Sequence, residues 1–563
     1  MLSTTQRVLM ALGLLGMLAG LTWAGLQLGR PRRPEPTFAA SSAAATQAVK
    51  KPELLQRQPL PPLFPDLPPA SCVLVLSGQM LGYLQPCGCA RPQVGGLERR
   101  FELIKRILHA GPPVSGADLG DLAPHQSGAQ ARSKYEIAVR SLAKMPYAAL
   151  GMGLTEFHLP LEEALGLAQN YMPPYVLLAN LQVPDDRFPD QFRRWTVDEP
   201  HTPADGAAVL GRVMGGTLAP GLVSTFVTAL ASGRPRIGYV GLVGASLIAV
   251  AREKDPALEF IPPAAVVPEA LAALARQGAG VRVLLFQGNA AEAQALHAAH
   301  PGAFHVILAR ADGDIAPRLP TRLEVTGQPP TLLVNVGHKG KSTGLVHVRT
   351  GGAAPELHYQ MVELVEELEL PDHQTNPVRE VMRDYVLGVY QNRYLTQTLL
   401  KPHPHQMLPE MSAARFVGAA RCQECHPGAH QVWKGSKHSH AYQALVDYGR
   451  PTAELIRRGE VPLQIGRQHD PECAVCHVTG FGFQGGFIDA EQTPHLLGNQ
   501  CENCHGPASL HVEYPKEPKY SRPLRLSIGS KETEQKCRSC HDVDNDPHFD
   551  LEKYWPKIKH PRY

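Results

Sequence analysis

The chain has 563 residues, 19% of them charged and 43% hydrophobic, with a formal net charge of +3. This suits two or three globular domains and excludes a collagen-like, wholly disordered or polytopic membrane protein. So even a charge balance, with no basic stripe beyond a few arginines near Arg30, leaves no footprint for nucleic acid.

Val8 to Gly29 form an uncharged, mostly apolar run of 22 residues. As a helix it would be about 33 Å long, enough to cross the hydrocarbon core of a bilayer. We read residues 1–29 as a membrane anchor, an N-terminal transmembrane helix. A cleaved signal segment is the alternative, with the Ala-rich stretch Ala39 to Ala45 as its cleavage region. Arg7 before the run and Arg30, Arg32 and Arg33 after it say little about orientation, because long downstream domains translocate regardless of such charges. Residues 30–70 read as a linker: ten prolines fall between positions 31 and 70, around an Ala/Ser tract, and favour an extended spacer over a packed core.

Residues 71–365 alternate short β-rich runs with Ala/Leu/Glu-rich helical stretches. The runs include Val73–Ser77, Ile237–Val243, Val281–Phe286, His305–Leu308 and Thr331–Val336. Strands followed by helices predict a layered α/β domain with a largely buried sheet. NVGHKGKSTGLVHVRT reads as a strand, a Gly/Lys turn and a second strand.

The series GADLGDLAP, YAALGMGLTEF, LLANLQV, GYVGLVG and VNVGHKGKSTGLVHV resembles the metallophosphoesterase domain of 5′-nucleotidases. That resemblance implies a centre of two metal ions held by Asp, Asn and His ligands, which together clamp a phosphoryl group. This chain keeps Asp121 and Glu156 at matching positions. It has Ser77-Gly78-Gln79, Gly151 to Leu154, Gln287-Gly288 and Ala309 to Asp312 where the family carries its other ligands. The expectation is a metallophosphoesterase-like fold without its metal site, and no catalytic residue is assigned.

In the same region QPCGCARPQVGG places Cys87 and Cys89 two apart, and Cys72 makes three cysteines. One reading is a disulfide from Cys72 to one of the pair. The other is a thiol ligand or redox site where the family holds its metals.

Residues 366–415 read as a helical connector. Asn376-Pro377 supplies a start signal, and Val378, Val381, Met382, Tyr385, Val386, Val389 and Tyr390 recur at helical spacing. The spacing predicts a helix to about Leu400, packed between two domains, with His403 and His405 in a loop.

Residues 416–563 contain four copies of one string: Cys422-x-x-Cys425-His426, Cys473-x-x-Cys476-His477, Cys501-x-x-Cys504-His505 and Cys537-x-x-Cys540-His541. This is the attachment pattern of c-type haem: the two thiols reach the porphyrin's vinyl groups and the adjacent His ligates the iron. A pair of four-cysteine zinc sites is the rival, but zinc requires no His after each pair. Four covalent haem c groups are expected. Covalent attachment takes place on the extracytoplasmic face, so the cell (inner) membrane, with the domains in the periplasm, is the expected location.

No methionine follows Met411, so histidine is left as the sixth ligand, and bis-His irons are of comparatively low potential. Candidates are His438, His440, His469, His495, His511, His548 and His560. The order of features, FVGAARCQECH, W-x-x-S-x-H-x-x-A, DPECAVCHVTGFG, CENCHGPxxxH, CRSCHD and a final KIKH, resembles the cytochrome c-554-like multihaem family. That resemblance implies His438 and His511 as distal ligands, His560 next, and His469 and His495 after them. It also implies that one iron can be five-coordinate. Motif intervals of 51, 28 and 36 residues are too short for separate domains, so a mostly helical and irregular tetrahaem lobe with little sheet is expected.

The function expected is electron transfer between redox partner proteins the sequence does not name, with the membrane reached through the N-terminal helix. Rivals are a multihaem oxidoreductase acting on a small nitrogen or sulfur compound at an open haem, and a metal-dependent phosphohydrolase.

Overall fold

Uninterrupted apolar runs suit strands covered on both faces, and the runs at 72–77 and 281–287 lie at the centres of two sheets. The first sheet has the order β15 (Glu356–Glu363), β14 (Ser342–Arg349), β1 (Cys72–Ser77), β2 (Val114–Asp118), β3 (Tyr147–Leu150), β4 (Tyr175–Val176). The second has the order β12 (Thr321–Val325), β13 (Gln328–Val334), β11 (Val306–Ala309), β10 (Val281–Gln287), β8 (Arg236–Val243), β7 (Val223–Leu230), β6 (Leu210–Thr217). A small pair, β5 (Leu181–Gln182) and β9 (Glu259–Phe260), lies apart from both. β1 to β4 run parallel, as do β8, β10, β11 and β13, while β14 is antiparallel to β1.

The computed structural model describes residues 60–86, 93–125, 128–182, 210–217, 223–230, 235–369, 376–448, 466–526 and 529–561. The predicted membrane segment, most of the linker, and Cys87 and Cys89 lie outside the described residues. Among the described residues no helix is long and apolar enough to cross a membrane.

Side-chain alternation divides the α/β lobe into four layers. Cys72, Leu74 and Leu76 of β1 face Ile237 and Tyr239 of β8 and Val283 and Leu285 of β10, filling the space between the sheets. Val73 and Val75 point the other way, into a core with helices α1 (Leu97–His109), α2 (Ala129–Leu142) and α3 (Leu161–Gln169). On the far side, Leu284 and Phe286 of β10 meet α5 (Pro263–Arg276) and α6 (Ala290–Ala299), which follow α4 (Ala245–Lys254). The Gly/Lys turn after β13 does not close a hairpin: β13 belongs to the second sheet and β14 to the first, so the turn carries the chain across the sandwich.

The connector helix, α7 (Val378–Asn392), joins the core of the first sheet through Val378, Val381, Met382, Tyr385 and Val389. Asn376 caps it, its Oδ1 accepting from Val378 N–H at 3.0 Å. The helix stops at Asn392 rather than near Leu400. Arg393 turns left-handed at φ 52°, which breaks the helical hydrogen-bond ladder, and a short 3-10 turn, Tyr394–Gln397, follows.

Beyond it, residues 416–561 fold into short helices with no extended sheet among the described residues; two isolated bridges, Lys401 with Phe483 and Val478 with Leu497, are the ladder contacts there. Apolar packing is thin. One cluster joins Leu395, Phe416, Ala474, Val478, Phe481, Phe487 and Leu496; the other joins Met411, Ala414, Ala508 and Leu524.

One close approach in the sandwich depends on a missing side chain. A Cβ at Gly241 of β8 would collide with the Leu177 carbonyl oxygen at the end of β4. Gly241→Ala is expected to force the sheets apart at a cost on the order of 1–3 kcal/mol. Thermal unfolding should show a lowered Tm with an unchanged far-UV spectrum, and a Tm equal to the parent's would refute the packing described.

Candidate haem site and the remnant centre of the α/β lobe

Each Cys-x-x-Cys-His string spans about one helical turn, so its first Cys, second Cys and His, at positions i, i+3 and i+4, share a face. The second lies within Pro471–His477 and the third is Cys501–His505, while the first and fourth begin inside Ala419–Gln423 and Lys531–Arg538. His426 N–H donates to Cys422 O at 2.8 Å and His541 N–H to Cys537 O at 2.9 Å, which closes the turn. The second helix is capped by Asp470, whose side chain accepts from Glu472 N–H at 3.1 Å.

Three motif histidines have Nδ1 engaged. His477 Nδ1 lies 2.6 Å from Ala441 O, His505 Nδ1 2.7 Å from Leu524 O, and His541 Nδ1 2.8 Å from Asp546 Oδ2. With the proton on Nδ1 directed to these oxygens, Nε2 would be the atom left to ligate a metal ion.

Opposite three of the motif histidines stands a second imidazole from a distant segment. Ring centres are 6.4 Å apart for His426 and His511, 6.1 Å for His438 and His541, and 5.9 Å for His505 and His560. Two imidazoles bonded at about 2 Å on either side of one metal ion have ring centres about 6 Å apart. Burial, with the facing imidazole second, holds His438 and His511 below the ordinary histidine value and favours the neutral form a ligand needs. The fit to haem is good on two further grounds: the lobe's apolar clusters are too small to be its whole core, and buried Nδ1 atoms of His511 and His405 have no hydrogen-bond partner in the chain. Haem would be held by Cys422 and Cys425, Cys473 and Cys476, Cys501 and Cys504, and Cys537 and Cys540.

Thiols of different motifs also lie side by side: Cys422 beside Cys501, and Cys540 beside Cys476. The attachment edges of the first and third motifs, and of the second and fourth, are thereby adjacent.

Among the described residues no second imidazole faces His477. His469 lies edge-on to Tyr390 of the connector, with centres 4.9 Å apart, and His495, His440 and His548 are exposed.

Sequence reasoning passed over several residues here. His405, expected in a loop, is buried against Gly506, whose φ of 86° and lack of a side chain allow the approach. Glu502, inside the third motif, is 1% exposed and accepts from Val417, Gly418 and Ala508 N–H groups at 2.8–3.0 Å, tying the first motif's approach to the third. A carboxyl between two cysteines had no pattern to mark it. Asp546 was visible only as one of a run of acidic residues after His541.

In the α/β lobe Asp121, Glu156, Gln287 and Arg310 come together at the carboxyl ends of the strands. Arg310 Nε lies 3.8 Å from Asp121 Oδ2, and Gln287 Nε2 donates to Leu119 O at 2.5 Å. Gln79, from the first strand's end, exchanges two hydrogen bonds with Ala311, at 2.6 and 3.2 Å. Deeper in, Asp118 is held by Ser77 at 2.5 Å and by Arg100, 3.4 Å away and 1% exposed. Burial still raises the Asp118 carboxyl, outweighing Arg100. Cys72 is buried in β1 between the sheets.

These geometries define a lobe of the c-type cytochrome class, joined to a two-sheet α/β lobe. Residues 421–506 match the family described as cytochrome c554 and c-prime. Cytochrome c-554 of Nitrosomonas europaea is 29% identical over 140 residues, 23% of this chain and 58% of that protein. Multiheme cytochrome MtrA of Shewanella baltica is 32% identical over 78 residues, 13% of this chain and 23% of that protein. The chain thus spans 58% and 23% of the lengths of these relatives. Residues 421–506 of the C-terminal lobe thus carry a domain of the cytochrome c554 and c-prime type, and the lobe is similar to multihaem cytochromes c. Among solved structures, a 5′-nucleotidase precursor from Thermus thermophilus is similar at 17% identity and a TM-score of 0.43, over 59% of this chain and 60% of that one. A sulfate thiohydrolase, SoxB, of the same organism is similar at 16% identity and a TM-score of 0.43, over 60% of this chain and 63% of that one.

Glu156 gives the remnant centre a pH signature. Its carboxylate accepts from the N–H groups of Asp121 (2.8 Å), Leu122 (2.6 Å), Ala123 (3.2 Å) and Gly153 (2.8 Å). Burial, and then the Asp121 charge, nevertheless push it up to about 7 from 4.5. The folded state therefore binds this proton more tightly than the unfolded one, so its contribution to stability falls as pH rises from about 4.5 to about 7 and is constant above. In Glu156→Gln the urea midpoint should change less across that window than in the parent; parallel pH profiles would contradict it.

Proposed function

We propose that the chain is a membrane-anchored, periplasm-facing tetrahaem c-type cytochrome that passes electrons between a donor and an acceptor protein, on an α/β lobe of metallophosphoesterase type that acts as scaffold rather than catalyst. One observation carries the reading: three Cys-x-x-Cys-His histidines each face a distant histidine at the separation of two ligands on one metal ion. Haem bound at the four strings supplies a one-electron iron couple. The chain's own residues do the rest. Nδ1 contacts to Ala441 O, Leu524 O and Asp546 fix three proximal imidazoles. His511, His438 and His560 complete the first, fourth and third sites. The Cys422–Cys501 and Cys476–Cys540 contacts bring neighbouring sites close enough for rapid electron hopping. The scaffold reading of the α/β lobe is supported by the Arg310 guanidinium facing Asp121, a position at which the resembling family holds a metal ion.

A second reading, an oxidoreductase acting on a small nitrogen or sulfur compound, is favoured by one feature: His477 has no imidazole opposite it among the described residues. It predicts a high-spin iron that binds added ligand when reduced.

Haem stoichiometry, potentiometry and electron paramagnetic resonance of the purified protein test both readings. Four haems per chain are expected, three of them low-spin. His438→Ala, His511→Ala and His560→Ala should each convert one further iron to high spin, and His438→Met should raise the potential of one iron only. Variants whose spectra match the parent's would remove these ligand assignments.

A further inference from the structure

Among the described residues the α/β lobe grips the haem lobe at two places, the start of the second motif's helix and the loop after the fourth motif. At the first, Gln130 and Lys134 of α2 reach the start of the second motif's helix: Gln130 Nε2 donates to Asp470 Oδ1 at 2.9 Å, and Lys134 pairs with Glu472. At the second, Lys339 and Lys341, in the turn that crosses the sandwich, both bond Asp544, three residues after His541. The same two ammonium groups bond Asp314 on the loop after β11, at 2.6 and 3.2 Å, closing a ring of two positive and two negative charges. Asp544 is only 5% exposed at its side chain, and Lys339 and Lys341 are below 20%. Burial raises the Asp544 carboxyl, but the bonds from Lys339 and Lys341 reverse this and hold it below the usual carboxylate range. Between Asp544 and the proximal imidazole there is one short loop, in which the Asp542 side chain accepts from Asp544 N–H at 3.0 Å and from Asn545 N–H at 2.7 Å, and Asp546 meets His541.

We infer that Lys339 and Lys341 are positioning residues for the fourth haem, fixing the Asp542 to Asp546 loop behind His541 and setting the charge felt by its iron. The inference rests on the reading of Cys537, Cys540 and His541 as a haem site. The second and fourth motifs share the Cys476–Cys540 contact, so the two grips hold one pair of neighbouring sites against a rigid sandwich. The ring is neutral as it stands. Loss of both lysines leaves two carboxylates beside the fourth site, which favours the ferric, more positive state. Loss of Asp544 leaves a net positive charge and favours the ferrous state.

The test is a spectroscopic redox titration of the full-length, haem-loaded protein and of three variants: Lys339→Gln/Lys341→Gln, Asp544→Asn, and Lys339→Arg/Lys341→Arg. Haem content is counted first. Fewer than four haems in the parent would defeat the underlying reading, whatever the variants do. With four haems present, one midpoint potential should fall in the double Gln variant, one should rise in Asp544→Asn, and the double Arg variant should return to the parent's values. Unchanged potentials in both of the first two variants, or shifts of the same sign, would overturn the inference, because a merely structural contact loosens in the same way whichever partner is removed.

Discussion

The C-terminal lobe depends on pairs of imidazoles brought to metal-bonding separation from opposite ends of its sequence. Its apolar clusters comprise seven and four buried residues, far less than a sandwich of two sheets commands, and its helices are mostly of four to eight residues. Helices that short are not stable by themselves. What fixes them is a set of contacts centred on the haem motifs: Nδ1 groups tied to backbone carbonyls, Glu502 gathering three amides, and His426, His541 and His505 each facing a partner far along the chain. Large planar apolar groups bound between such pairs would supply the core that the side chains do not.

The α/β lobe is built on the opposite plan. Three buried clusters, one between the sheets and one outside each, give it rigidity without any bound group. Two of its buried carboxylates have a guanidinium nearby, Asp118 with Arg100 at 3.4 Å and Asp121 with Arg310 at 3.8 Å. A rigid body is what a thinly cored neighbour needs as a base, and the contacts between the lobes fall on the second and fourth motifs rather than being spread at random.

How much of this could be read from the sequence follows from the range of the interactions. The Cys-x-x-Cys-His strings, the apolar strand runs and the Asn376 cap are local patterns, and each appears where its spacing predicts. The partners of the motif histidines are long-range. Spacing offered seven candidates without ranking them, and the order His438, His511, His560 came from resemblance to known proteins. Arg100 and Arg310 were invisible as partners of Asp118 and Asp121, because a guanidinium that meets a carboxylate from elsewhere in the chain leaves no motif. The end of α7 was missed for a different reason: apolar periodicity continues past Asn392, and only the backbone at Arg393 shows where the helix yields.

The three histidine pairs interleave. His426–His511 and His438–His541 overlap in sequence, and His505, which lies inside both, reaches out to His560 near the chain's end. No segment of the lobe can therefore close its own sites: a fragment ending after the third motif leaves His438 without His541 and His505 without His560. Such topology makes ordering of the lobe collective, since each pairing shortens the loops that the others must close, and loop-closure cost falls with loop length. The α/β lobe contacts the haem lobe at two points, the helix of the second motif and the acidic loop after the fourth. These come from stretches 64 residues apart, from Cys473 to Cys537, yet their cysteines Cys476 and Cys540 touch. An intact sandwich beneath them lowers the entropic cost of bringing them together, which gives a physical reason for a cytochrome lobe to be joined to an α/β lobe.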